Sequence, residues 1–201
     1  MNVYVESNFV LELALLQEQF ESCERILSLC EAGRIRLVVP AYSLAEPYET
    51  LTRRQKQRKK MKEEFDVELD QIARSATHQD RLRGFRDLTA LLISVADEAA
   101  KQLEGVRSRM IKAACVIPLD AAVLATATQY QRIHDFSAQD ALVYSSVVSH
   151  LKQVRVTESC FLNKNSKDFD DQSIVDELRT YNCKLLPRFD SGYEFLCQAL
   201  R

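Results

Sequence analysis

The first forty residues constrain the fold more than any other stretch. Val3-Tyr4-Val5 is a short β-type run. From Phe9 the pattern turns helical up to about residue 32, in one helix or two pieces, with Leu11, Leu15, Leu16, Phe20, Ile26, Leu27 and Cys30 on its apolar faces. Gly33 follows where a helix is capped at its C-terminus, and Ile35-Arg36-Leu37-Val38-Val39 is β-branched and ends at Pro40. A strand, a helix and a second strand in this order predict a parallel pair joined by a right-handed crossover. Parallel strands are covered on both sides, so the expected class is α/β: a parallel β-sheet with helices on both faces.

The rest of the chain adds to this frame. A helical region over 42–76 carries Leu44, Tyr48 and Leu51 on one apolar face, and Met61, Phe65, Leu69 and Ile72 on the next. Residues 52–60 between them contain no apolar side chain, so that part is expected to stand in solvent. A second helical region over 80–112 repeats apolar residues from Phe85 to Met110. Residues 53–112 therefore read as a long helical arm inserted into one domain that spans 1–201. Beyond it lie an extended piece at 116–119, helices over 120–132 and 138–152, a strand from Thr157 to Leu162, the polar loop NKNSKDFDD, a helix over 172–180 and a last strand from Cys183 to Leu186. Asp120 and Ser137 sit where helix caps belong, the latter in a capping box with Asp140.

Composition removes several functions. Only four glycines are present and none form a phosphate-cradling loop, which excludes a nucleotide kinase or a dinucleotide-binding enzyme. Six scattered cysteines form no CxxC pair, and His78, His134 and His150 have no metal-ligand spacing with them. The cysteines read as small apolar core residues in a reducing cytoplasm, with neither zinc nor a Cys nucleophile. No apolar run approaches the roughly 20 residues of a membrane helix. Net charge is −2, so nucleic-acid contact must come from a local patch. The run RRQKQRKKMK, residues 53–62, is such a patch. Its Lys59, Lys60 and Lys62 have acids four residues on, which a solvated helix explains; Arg53, Arg54, Lys56 and Arg58 do not, and suit RNA phosphates.

In open parallel sheets, ligands sit at the carboxyl ends of the strands. Glu6 follows the first strand and Glu46 follows the second. Asp140 opens the helix before the next main strand, and Asn163, Asn165, Asp168 and Asp170 follow that strand. Four segments thus bring acids or amides to one edge. Any one of these acids alone suits a helix N-terminus or a loop. Together they predict an acidic pocket, and clustered carboxylates ionise together only if a cation offsets them. Hard oxygen ligands favour Mg²⁺ or Mn²⁺.

The segments VYVESN, SLAEPYETL, FSAQDALVYSSVV and CFLNKNSKDF resemble the PIN domain family of metal-dependent ribonucleases, which includes the toxin nucleases of bacterial toxin–antitoxin pairs. The resemblance covers about 1–52 and 114–190, with no counterpart for 53–112. It implies a PIN-like fold and a divalent-metal-dependent endoribonuclease, with Glu6, Glu46, Asp140 and Asp168 holding Mg²⁺ or Mn²⁺. Asn8, Asn163 and Asn165 would orient water or phosphate. Glu6 stands where the family usually has Asp, one methylene shorter, and Asn165 is neutral where the family often carries a charge. Two further readings follow from the same resemblance. One is a catalytically impaired RNA-binding or assembly module; the other is a toxin nuclease held by an antitoxin-like protein, with the arm as that partner's dock or as a homodimer surface.

Overall fold

Val3, Tyr4 and Val5 are wholly buried because their strand lies at the centre of the sheet. The structure, a computed structural model, describes residues 1–75, 77, 79–154, 158–164, 169 and 171–200. Along the chain come β1 (Asn2–Val5), α1 (Ser7–Leu15), α2 (Phe20–Glu31), β2 (Arg36–Pro40), α3 (Ala41–Ile72), α4 (Gln79–Ala113) and β3 (Cys115–Ile117). Then follow α5 (Ala121–His134), α6 (Ala138–Val154), β4 (Ser159–Leu162), α7 (Gln172–Thr180), β5 (Cys183–Leu186) and α8 (Phe189–Ala199). The described strands form one parallel sheet in the order β3-β2-β1-β4-β5. Residue 157, expected in the fourth strand, lies outside the described residues.

The period-two alternation of each strand divides the core into two layers. Val3 and Val5 point to one face with Leu37, Val39, Cys160 and Leu162, and are covered by α1, α2, α4 and α8. Tyr4, Val38 and Phe161 point to the other, covered by α5, α6 and α7. Connections that step from β1 towards β3 lie on the first face, and those that step towards β5 lie on the second. Crossovers of a single hand require that division.

The helical stretch after β1 is two helices. Leu16 adopts a left-handed backbone (φ 49°), which ends α1 and turns the chain into α2. α8 was not legible as a helix. Ser191 and Gly192 lower its helix propensity, and it is held by burial of Phe189 and Leu196. Gly192 also has a packing reason: a Cβ there would come 2.7 Å from the Leu162 side chain at the end of β4.

Residues 53–72 and 79–112 fall in two long helices, of which α4 carries Leu103, Val106 and Met110 into the core of the first sheet face. α3 has 32 residues and α4 has 35, each about 50 Å long at 1.5 Å per residue. The base of this pair is fastened to the body. The Arg109 guanidinium donates to both oxygens of Glu24 (2.6 and 2.9 Å) and both of Glu31 (2.8 and 2.9 Å) on α2. Further along, Arg107 lies over the Tyr48 ring at 4.7 Å, and Gln55 donates to Asp97 at 3.4 Å, so the two helices pack side by side. Residues 52–57 are exposed, as their composition requires.

Candidate functional site

The strand order reverses between β1 and β4. The chain moves one way from β1 through β2 to β3, then returns to the other side of β1. At such a point the connecting helices diverge and leave a crevice beyond the strand ends. Glu6 stands one residue past β1, and Asn163 one residue past β4. A cavity of about 280 Å³ opens there, lined among others by Glu6, Ser7, Asn8, Glu46, Asp140 and Asn163.

Glu6 is the most buried of the acids lining this cavity, 6% exposed. It is itself the N-cap of α1: one carboxylate oxygen accepts from the Asn8 backbone N–H at 2.7 Å. Ser7 and Asn8 beside it are better capping residues by type, but the turn begins one residue earlier. The other oxygen, Oε1, is buried and has no hydrogen-bond partner among the described residues. Burial pushes the Glu6 carboxyl up to about 7, against the pull of nearby backbone N–H groups and with a smaller push from Glu46.

Ser7, freed from capping, donates its hydroxyl to the Glu46 carboxylate and so ties α1 to α3. Glu46 lies in the second turn of α3, because that helix starts at Ala41 directly after Pro40. Pro47 therefore falls inside the helix, where it cannot donate to the carbonyl of Ser43. Ser137 caps α6 in the expected box with Asp140: its Oγ accepts from the Asp140 N–H at 3.1 Å and donates back to the carboxylate. The cap does not remove Asp140 from the pocket wall. Tyr42 bridges the rim between α3 and α6, and its hydroxyl pKa is raised by burial first and then by Glu46 and Glu49.

A second acid had escaped the reading by motif. Glu12 lies one turn beyond Asn8 and is 1% exposed. One of its oxygens receives Lys164 Nζ at 2.5 Å and the other accepts from the Gln19 backbone N–H at 2.8 Å. Gln19 in turn accepts from Phe189 N at 2.7 Å, which caps α8. Lys164 directly follows Asn163, so this buried carboxylate pins the start of the loop after β4. The one hint in the sequence is an acid inside the otherwise apolar helix SNFVLELAL. Lys164→Met is expected to destabilise the protein by about 2 kcal/mol, because Glu12 is left buried without its cation while Lys164 is itself one-third exposed. Thermal unfolding of the variant reads this directly, and an unchanged midpoint would assign the loop's position to other contacts.

The structure thus brings together Glu6, Asn8, Glu46, Asp140 and Asn163. Asn165 and Asp168 lie outside the described residues. Of the basic run, Arg54 and Arg58 line a separate groove between α3 and α4 with Lys101, whereas Arg53 and Lys56 do not. Arg53 is seven residues from Glu46 and shares its helix face. Among the described residues no three Asp, Glu, His or Cys side chains are gathered as one ligand set. The donors around the pocket are nevertheless hard oxygens, and a buried carboxyl oxygen without a partner is the group a divalent cation would satisfy. By donor chemistry the site fits a hard divalent cation.

No helix of the described residues is long and apolar enough to cross a membrane. No curated protein matches the sequence. Among solved structures the chain is similar to VapBC2 from Rickettsia felis bound to a DNA fragment from its promoter, at 11% identity and a TM-score of 0.45, over 92% of this chain and 98% of that one. The family model described as PIN domain matches residues 3–169. That stretch runs from β1 past β4 and takes in every residue named around the pocket, and on it the chain belongs to the PIN domain family.

Proposed function

We propose that this protein is a divalent-metal-dependent endoribonuclease that hydrolyses RNA phosphodiester bonds. The observation that supports it most is one pocket at the strand switch point, lined by Glu6, Glu46, Asp140 and Asn163 from four separate segments, with Glu6 buried and one of its oxygens unsatisfied. Glu6, Glu46, Asp140 and Asp168 would hold Mg²⁺ or Mn²⁺. Such an ion, when bound, supplies positive charge at the phosphate oxygens and lowers the pKa of water.

The chain's own residues divide the remaining work. Ser7 keeps the Glu46 carboxylate turned towards α1, and Ser137 holds the Asp140 carboxylate at the start of α6. Asn8, Asn163 and Asn165 carry neutral amides that orient water or a phosphate oxygen without adding charge. Arg53 stands about 10 Å from Glu46 along the same face of α3 and offers a cation to a neighbouring phosphate. Arg54, Lys56 and Arg58 extend that basic track outward.

A catalytically impaired RNA-binding or assembly module is the second reading, favoured by Glu in place of Asp at position 6 and by the neutral Asn165. Calorimetry with Mn²⁺ and with Mg²⁺, run beside digestion of a mixed single-stranded RNA, separates the two. Metal binding together with internal cuts made only when metal is present is the expected result. RNA binding without cuts at saturating metal gives the second reading, and no metal binding at millimolar concentration overturns the first.

A further inference from the structure

α3 is sorted by charge along its length. Residues 53–60 include six bases and no acid, and residues 63–70 include five acids and no base. The i,i+4 pairs Lys60–Glu64 (3.7 Å) and Lys62–Asp66 join the blocks where they meet. Their outer parts cannot meet within one helix, because Arg58 and Glu68 are about 15 Å apart along its axis.

The apolar residues of the arm are also left over. Gln55, bonded to α4, and the buried Leu69 mark the α3 line that packs on its neighbour. Beside that line runs another: Arg54, Arg58, Met61, Phe65, Glu68 and Ile72, spaced four and three alternately. That is the heptad seam of a coiled coil. Met61, Phe65 and Ile72 on it are 39%, 52% and 44% exposed. α4 carries its own exposed stripe, Phe85, Leu88, Leu91 and Val95. Polar–apolar helices with such stripes bury them against another helix.

We infer that this seam packs against the same seam of a second copy, antiparallel, about a twofold axis at the level of Glu63. The seam maps onto itself under that operation. Met61 meets Phe65 of the second copy, Arg58 meets its Glu68, and the Arg54 stem lies along its Ile72. Glu63 does not oppose itself, since it points away from the seam. The two charge blocks face blocks of opposite sign, whereas a parallel arrangement would set like against like. A nucleic acid or an anionic membrane offers one sign only and is repelled by the acidic half. Counting outward eight residues on each helix from the Gln55–Asp97 bond puts Glu63 level with residue 89, so Leu88 and Leu91 flank the same axis. Two hairpins so joined form a four-helix bundle, an isologous interface. This inference stands apart from the nuclease reading. It changes one detail of it: Arg54 and Arg58 belong to the seam, and Arg53 and Lys56 remain for RNA.

The test is the mass of the intact chain in solution, by sedimentation, with charge exchange across the seam. The chain of 23.0 kDa is expected to sediment at twice its mass. Arg58→Glu alone and Glu68→Arg alone each place like charges together twice per dimer, and each should weaken association about tenfold or more. The double variant Arg58→Glu/Glu68→Arg restores opposite signs and should bring the dimer back. Phe65→Asp should give a monomer with unchanged far-UV circular dichroism. A wild-type monomer at about 100 μM, a concentration that detects dissociation constants into that range, overturns the inference. So does a double variant that dimerises no better than the single ones.

Discussion

Glu6→Gln is expected to be harder to unfold than the wild type at pH 8 and to have lost RNA cleavage. The two effects have one origin. In the unfolded chain the Glu6 carboxyl titrates near 4.5, and in the folded chain near 7. Between those values the folded protein keeps a proton that the unfolded chain has released. Stability therefore falls as pH rises through the window, and the loss is complete above about 7. A shift of this size corresponds to about 3 kcal/mol. Gln cannot ionise, so its gain is full at pH 8 and absent at pH 4. Denaturant unfolding at pH 4, 6 and 8 reads this directly; a gain of equal size at all three would disconnect it from ionisation. Cleavage should fall about a thousandfold, which is about 4 kcal/mol of lost transition-state stabilisation. In the wild type, metal affinity should rise with pH up to about 7, because binding must displace the same proton.

Asp140→Asn should also lose metal binding and cleavage, by about a hundredfold or more, but with no comparable gain in stability. Its carboxylate is only partly buried and already bonded to Ser137. Asn preserves that cap geometry nearly unchanged. The companion variant Ser137→Ala reverses the balance: it removes the cap oxygen and costs about 1 kcal/mol of stability. If Asp140→Asn cleaves and binds metal as the wild type does, the role of its carboxylate in the pocket is refuted. Initial rates on a short RNA, with unfolding curves on the same samples, decide between them.

Much of this architecture could be read in advance where local chemistry decides it. The β-α-β opening was legible because β-branched runs, a helical period and Gly33 follow one another without conflict. The exposure of 52–57 was legible because no apolar residue interrupts that stretch. Asp120 and Ser137 behave as caps by rules that act over three residues. What failed to show depends on distance. The pairing of Glu12 with Lys164 joins residues at opposite sides of the sheet switch, and no spacing announces it. α8 is weak in propensity and exists by packing against β4 and α2. The cap at Glu6 was hidden by better capping residues beside it, and only the depth of β1 shows why the acid was chosen: a buried cap presents its second oxygen to the crevice. The acids Glu6, Glu46 and Asp140 were found because the strand-end rule acts on topology, which the crossovers had already supplied.

The place of β1 in the sheet also sets when the pocket can exist. β1 is made before the other strands of the sheet, yet it is flanked on both sides only after β4 has been made. β2 can pair with it early, whereas the wall carrying Asn163 and the Lys164 anchor arrives only with β4. Such long-separation parallel pairing is slow, because loop-closure entropy is lost before contacts are gained. Until β4 has been made, Glu6 therefore stands in a crevice with one wall missing, and the pocket is completed by a strand far from it in sequence.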